Sequence, residues 1–291
     1  MTSTRLVADV GGTNTRLGLT LDGVLRPDTI ESFRNDGFDS FDSVLARYLS
    51  ARTSFDISDM VVAVAGPVDD GKANLTNRGW SFDQSLLSRH IQGNGVKLLN
   101  DLAALGQASA QLGPDCVSTV FKPDQPANGN GQALIVGVGT GFNLSPVLIG
   151  DGQVTNLNVE YGHISLPQDV AVLLNAAIPK ASSRFNTIEE VFSGRGYAGL
   201  LHESGISTVA FDQIYARLLA TLTRNLTMAF LPRNGIYFAG GVARNLLCSD
   251  AKNEFSGLYQ SPFTLNTVRL VPVYAILDDA AALKGCAAYR A

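Results

Sequence analysis

The chain has 291 residues, enough for one large domain or two of ordinary size with sizeable cores. It is 45% hydrophobic and 16% charged, with a net charge of −4 and no Lys/Arg cluster, which argues against extensive disorder and a concentrated basic face for nucleic acid. No apolar run reaches the roughly 18 residues of a membrane span and no basic-then-apolar leader opens the sequence, so a cytoplasmic protein with no membrane partner is expected.

The run Leu6 to Asp9 reads as a strand, and the alternation after Asn14 as a second, which puts Gly11 and Gly12 in the turn of a hairpin. Adjacent glycines let a ligand approach the main chain, and free amides in such a turn make a concavity for phosphate. Asp9 would then face the accompanying cation. A plain hairpin turn explains "GGTN" equally well at this point. Helical patterns follow at Phe41 to Leu49, Phe82 to Ile91 and Leu102 to Leu112, with strands at Val61 to Ala65 and Val96 to Leu99. The segment "LLND" ends the latter strand in Asn100 and Asp101, at the sheet edge where α/β proteins bind ligands. Asp101 is also a candidate helix N-cap.

The segment Phe121 to Gln132 is rich in Pro, Asn and Gly and reads as a surface loop, before a further strand at Leu134 to Val138. Phe211 to Phe230 is the longest helix candidate, with Phe211, Ile214, Leu218, Leu222 and Leu226 on one core-facing stripe. Strands at Ile236 to Ala239 and Leu270 to Tyr274 complete an alternation that specifies an α/β fold with mostly buried sheets. "GRGYAG", Gly194 to Gly199, matches a dinucleotide-binding pattern but follows the helical "TIEEVFS", so it is a chance match. Cys116, Cys248 and Cys286 lack CxxC spacing and read as small core residues. A weak internal repeat relates "LVADVGGTNTRLGLTLDG" at Leu6 to "LIVGVGTGFNLSPVLIGDG" at Leu134: strand, glycine turn, strand, glycine turn. Two such domains, each aiming one turn inward, would clamp a nucleotide.

"DVGGTNTR" at Asp9, "LND" at Leu99, "GVGTGFN" at Gly137, "VEYGH" at Val159, "EEVFSG" at Glu189 and "YFAGGVARN" at Tyr237 resemble, in order and spacing, the bacterial glucokinases, hexokinase-like sugar kinases. The resemblance spans nearly the whole chain. It implies the two-domain actin-like ATPase (ribonuclease H-like) fold with the active site in the interdomain cleft: residues 1–103 as a small domain, to which 278–291 return, and 104–277 as a large one. The implied cofactors are ATP and Mg²⁺, and a homodimer is among the assemblies the family forms.

Phosphoryl transfer needs phosphate-cradling amides, a metal-binding carboxylate and a group that orients or deprotonates the acceptor hydroxyl. By resemblance, Gly11, Gly12, Thr13, Asn14 and Arg16 form the first phosphate turn, and Asp9 holds Mg²⁺ through water. Thr140 and Gly141 form the second turn, and Gly240 and Gly241 the adenosine motif. Asp101 is the implied general base. Asn100, Asp101, Glu160, His163 and Glu189 are the implied sugar ligands, leaving Glu190 at the surface. "LTNRGW", Leu75 to Trp80, resembles a family segment near the sugar. The cysteine-rich zinc motif of the repressor-and-kinase branch is replaced by "ISLPQDV", which argues against a transcriptional regulator. The expected activity is glucose phosphorylation by ATP; a kinase for another hexose and a non-catalytic sugar sensor are the alternatives.

Overall fold

The N-terminal hairpin is formed by β1 (Thr4–Val10) and β2 (Asn14–Leu21), paired antiparallel with Asp9 opposite Arg16 and Val10 opposite Thr15. The computed structural model describes residues 3–75, 78–93 and 95–290. The chain divides into two units, Met1–Gln111 with Asp279–Ala291, and Leu112–Asp278.

In the first unit, β3 (Val24–Leu25) and β4 (Glu31–Arg34) both pair with β2, and α1 (Phe41–Ser50) follows, started by a Ser40/Ser43 capping box. The strand β5 (Ile57–Val64) lies parallel to β1. A small sheet of β6 (Val68–Asp69), β7 (Lys72–Asn74) and β8 (Ser81–Asp83) comes next, then α2 (Gln84–Leu87), β9 (Gly95–Asn100) and α3 (Asp101–Ala108). The main sheet runs β3-β2-β1-β5-β9. The centre of β1, Leu6 to Ala8, is a continuous apolar run because both faces are covered: Leu6, Ala8 and Val10 join the core around Phe41 and Tyr48, and Val7 joins a second core with Leu283 and Cys286.

The second unit contains β10 (Val117–Phe121), the hairpin β11 (Gln132–Val138) and β12 (Phe142–Gly150), and β13 (Gln153–Asn156). Helices α4 (Gln168–Ala177), α5 (Ile188–Val191), α6 (Gly194–Ser204) and α7 (Thr208–Phe230) follow. Then come β14 (Ile236–Ala239), α8 (Gly241–Leu247), α9 (Lys252–Tyr259) and β15 (Val273–Ile276), giving the sheet order β10-β15-β14-β11-β12-β13. On α7, Phe211, Leu218, Leu222 and Leu226 are fully buried, as the helical stripe requires. In both units an antiparallel hairpin is extended antiparallel on one side and followed by two parallel strands on the other. The internal repeat is therefore a repeat of topology.

Three sequence expectations need correction. Residues 82–91 do not form one helix: Phe82 pairs with Ala73 in β8 and packs on Phe41 (ring centroids 5.3 Å), and Asp83 caps α2 by accepting from the Ser85 amide at 2.9 Å. The strand expected from Leu270 starts only at Val273, because Pro272 has no N–H for a ladder. Of the cysteines only Cys286 is a core residue; Cys248 is exposed and Cys116 half-buried, and none of the three is in a disulfide.

The chain returns to the first unit as α10 (Ala281–Ala288), which packs on α3 and β1. Gly285 makes the packing possible: a Cβ there would lie 1.7 Å from the Ala104 carbonyl oxygen. Gly285→Ala should force the helices apart and cost roughly 1–3 kcal/mol, a drop of several degrees in melting temperature by calorimetry. An unchanged melting temperature would show that the α3–α10 contact can relax freely.

Candidate active site

The first half of the candidate site is the β1–β2 turn. Gly11 closes it by donating its amide to the Asn14 carbonyl at 3.0 Å, so that amide is spent inside the turn. Among the described residues, no acceptor within the chain takes the amides of Gly12 and Thr13. These two are therefore the amides a phosphate could use, a narrower set than the sequence suggests. Arg16, opposite Asp9 on β2, places Nη1 3.7 Å from Asp9 Oδ2 and Nη2 3.9 Å from Asp279 Oδ2.

In the same unit, β9 delivers Asn100 and Asp101 to the start of α3. The N-cap is Asn100, not Asp101: Asn100 Oδ1 accepts from the Leu102 amide at 2.9 Å, while its Nδ2 donates to the Gly66 carbonyl at 3.0 Å. One Nδ2 hydrogen and one Oδ1 lone pair remain for a ligand. Asp101 Oδ1 also accepts from Leu102 N, at 2.8 Å. Burial pushes the Asp101 carboxyl up to about 6, with the charge of Asp9 adding to the effect. Asp9 is likewise pushed up to about 6 by burial, against the lowering effect of Arg16 and with a raising one from Asp279. Two carboxyls perturbed in this way beside the amide-bearing turn make this the candidate site of the first unit.

The second unit carries its own glycine turn between β11 and β12. Gly139 N donates to the Gly141 carbonyl at 3.0 Å, and Gly194 N, at the start of α6, donates to the Gly139 carbonyl at 2.7 Å. Gly240, at φ +93°, sits so close that a Cβ would be 2.4 Å from the Val138 carbonyl oxygen. The turn that carries Thr140 and Gly141 is thus packed, through Val138 and Gly139, beside the β14–α8 turn that contains Gly240 and Gly241.

Glu189 lies against this same turn: its Oε2 accepts from the Phe142 amide at 3.1 Å, and its Oε1 is 3.4 Å from Arg195 Nη2. A Cβ on Gly141 would be 2.8 Å from Glu189 Oε2. Glu160 and His163 flank a short 3₁₀ turn, both exposed, with Glu160 Oε2 accepting from Asn143 Nδ2 at 3.1 Å. Asn143 also accepts from the Tyr161 amide at 3.1 Å and donates to the Val159 carbonyl at 2.9 Å, so it pins the segment that presents Glu160. Gly162 lets the segment approach β12, since a Cβ there would be 2.3 Å from the Phe142 carbonyl oxygen. Glu160, His163 and Glu189 are thereby brought to one edge of the second unit.

Comparison with known proteins shows the family. The family model described as Glucokinase matches residues 6–208 and 198–291. The chain belongs to the glucokinase family. A glucokinase of Caulobacter vibrioides is 28% identical over 97% of this chain and 93% of its own. The solved glucokinase from an Antarctic psychrotroph superposes with a TM-score of 0.82 at 24% identity, covering 98% of both chains. A ROK family glucokinase from Streptomyces griseus, solved with glucose and AMPPNP, gives 0.61 at 16% identity, again over 98% of both. These neighbours have the two-domain actin-like ATPase fold expected for a glucokinase.

In this chain Glu190 has a different duty from Glu189. It is exposed, and its Oε2 accepts from the amides of Asn186 (2.8 Å) and Thr187 (3.0 Å), closing the capping box of α5. Its carboxyl is held below the ordinary range by those two hydrogen bonds. Asn143 is the site residue that sequence reasoning passed over, although an asparagine in the otherwise apolar "FNLSPVLIG" is a visible signal. "GRGYAG" opens α6 directly after α5 rather than after a strand, and Gly196 is there because a Cβ would be 2.2 Å from the Glu190 carbonyl oxygen. In "LTNRGW", Thr76 and Asn77 lie outside the described residues.

Proposed function

We propose that the chain transfers the γ-phosphoryl group of ATP to the 6-hydroxyl of glucose, with Asp101 as general base, giving glucose 6-phosphate and ADP. The observation that carries this reading is the half-buried Asp101 carboxyl, fixed by one backbone amide at a strand end and pushed up to about 6. Such a carboxylate is still ionised at neutral pH, yet takes up a proton more readily than an ordinary surface aspartate.

The other roles follow from what a loose, anionic transition state needs. The amides of Gly12 and Thr13, with Arg16, meet phosphate oxygens, and Gly11 and Asn14 hold the turn in shape. Thr140 and Gly141 contact phosphate from the second unit, with Gly240 and Gly241 on the adenosine side. Asn100, Asp101, Glu160, His163 and Glu189 supply hydrogen bonds to the sugar hydroxyls. The Streptomyces griseus glucokinase solved with glucose and AMPPNP supports this ligand pair.

Asp9 fits Mg²⁺. Among the described residues no group of three or more His, Cys, Asp or Glu could hold a metal, which disfavours a closed protein cage. A single carboxylate raised by burial suits Mg²⁺, which keeps waters and borrows few protein oxygens. Asp9 would hold Mg²⁺, which would supply charge neutralisation on the phosphates, and Arg16, 3.7 Å from Asp9 Oδ2, would balance the remaining charge. No helix of the described residues is long and apolar enough to cross a membrane, and a cytoplasmic location belongs to the same proposal.

A coupled assay with Mg-ATP across glucose, mannose, fructose, glucosamine and N-acetylglucosamine tests the substrate. Glucose should give the highest kcat/KM. Preference for another sugar would keep the chemistry and overturn the assignment of glucose.

A further inference from the structure

The first phosphate turn is held from outside as well as by its own Gly11–Asn14 hydrogen bond. Two of its carbonyls, those of Gly11 and Thr13, would repel a phosphate if they turned outward. Both are bound by one residue: Asn35 Nδ2 donates to the Gly11 carbonyl at 2.8 Å, and the Asn35 amide donates to the Thr13 carbonyl at 2.9 Å. The remaining groups of Asn35 are used as well. Its Oδ1 accepts from Thr15 Oγ1 at 2.8 Å, and its carbonyl accepts from Arg78 Nη1 at 2.9 Å and from the Phe38 amide at 3.1 Å.

Asn35 lies directly after β4, whose pairing with β2 ends at Asn14 opposite Arg34. It is 0% exposed. A buried amide is costly unless partnered, and a residue needed only for packing there would be apolar.

We propose that Asn35 is a positioning residue for the phosphate turn: it holds the Gly11 and Thr13 carbonyls inward and leaves the Gly12 and Thr13 amides outward for the nucleotide phosphates. Asn35 acts through the turn and touches no substrate. The inference rests on the phosphoryl-transfer reading of the site. Thr15, 0% exposed, is the second part of the device, because its hydroxyl fixes which end of the Asn35 amide faces Gly11.

Asn35→Asp keeps the shape and the acceptor for Thr15 but has no donor for Gly11. It should raise KM for Mg-ATP by about tenfold or more while KM for glucose moves less than about twofold, a split that general destabilisation would not produce. Thr15→Val should raise KM for Mg-ATP in the same sense by a smaller factor, and Thr15→Ser, which retains the hydroxyl, should restore it. Hydrogen exchange of a peptide spanning residues 9–16 should quicken in Asn35→Asp and Thr15→Val more than exchange of β5 does. If Asn35→Asp fails to fold, the Thr15 pair decides alone. Unchanged KM for Mg-ATP together with unchanged exchange of the 9–16 peptide would overturn the proposal. A lack of turnover in the unmutated protein would instead count against the phosphoryl-transfer reading, since the exchange measurement needs no turnover.

Discussion

Asp101→Asn is expected to lower kcat by about 10²–10⁴ and, at the same time, to raise the melting temperature of the ligand-free protein at pH 7.5. The two effects share one cause. Burial and the nearby charge of Asp9 push the Asp101 carboxyl up to about 6, so its ionised form is disfavoured in the native state. In the unfolded chain the same group titrates near 3.8. Between those two pH values the native state binds more protons than the unfolded one, so stability falls as pH rises from about 4 to about 6 and stays lowered above that. Removing the charge should return on the order of 2 kcal/mol, several degrees in melting temperature. The pH–rate profile follows the same group with the opposite benefit. A base must be ionised, so at saturating Mg-ATP kcat/KM for glucose should be flat above about pH 7 and fall tenfold per unit below about 6. A variant that loses activity but melts lower at pH 7.5 would mean that Asp101 is held by contacts stronger than its desolvation.

Gly240→Ala should combine a backbone clash with a forbidden backbone conformation and so damage the second unit severely. Gly240 combines φ +93° with ψ 155°, a region essentially reserved for glycine, and precedes α8 as its N-cap. A Cβ would meet the Val138 carbonyl oxygen at 2.4 Å, the Val138 carbonyl carbon at 2.6 Å and the Gly139 amide nitrogen at 2.9 Å, all backbone atoms that cannot rotate away. Strain and overpacking together should cost roughly 2–5 kcal/mol. The displacement falls on the turn containing Thr140 and Gly141, so KM for Mg-ATP should rise by tenfold or more in whatever fraction folds. Gly241→Ala is the control. Nothing lies within 4 Å of a Cβ there and the residue is the first of α8, so its melting temperature should stay within about a degree of the unmutated protein. Similar melting temperatures for the two variants would refute the steric account.

The parts of the fold that were legible in the sequence are those written in local periodicity. The hairpins at Leu6 and Leu134 announce themselves by apolar runs around paired glycines, and the stripe on α7 by its helical spacing. Residues 82–91 were not legible as built, because tertiary contact of Phe82 with Phe41 and the cap at Asp83 override a helical pattern. At the site, the carboxylates and glycine turns stand out by residue type and spacing. What holds them does not. Asn35 lies 24 positions from the Gly11 carbonyl it binds, and Asn143 17 from Glu160, distances at which no pattern along the chain connects them. Residue type alone leaves Glu189 and Glu190 in competition; the resemblance picks Glu189 for the sugar, and helix α5 shows what Glu190 does instead, at its own N-terminus.

The central claim is that this chain moves a phosphoryl group to a sugar hydroxyl with Asp101 as the base. It is tested most directly by ³¹P NMR of Mg-ATP and glucose incubated with the unmutated protein and, in parallel, with Asp101→Asn. The expected spectrum shows a 6-phosphate ester and ADP growing in equal amounts with the unmutated protein and almost none with the variant. Saturable glucose binding without any ester, or equal ester formation by both proteins, would contradict it.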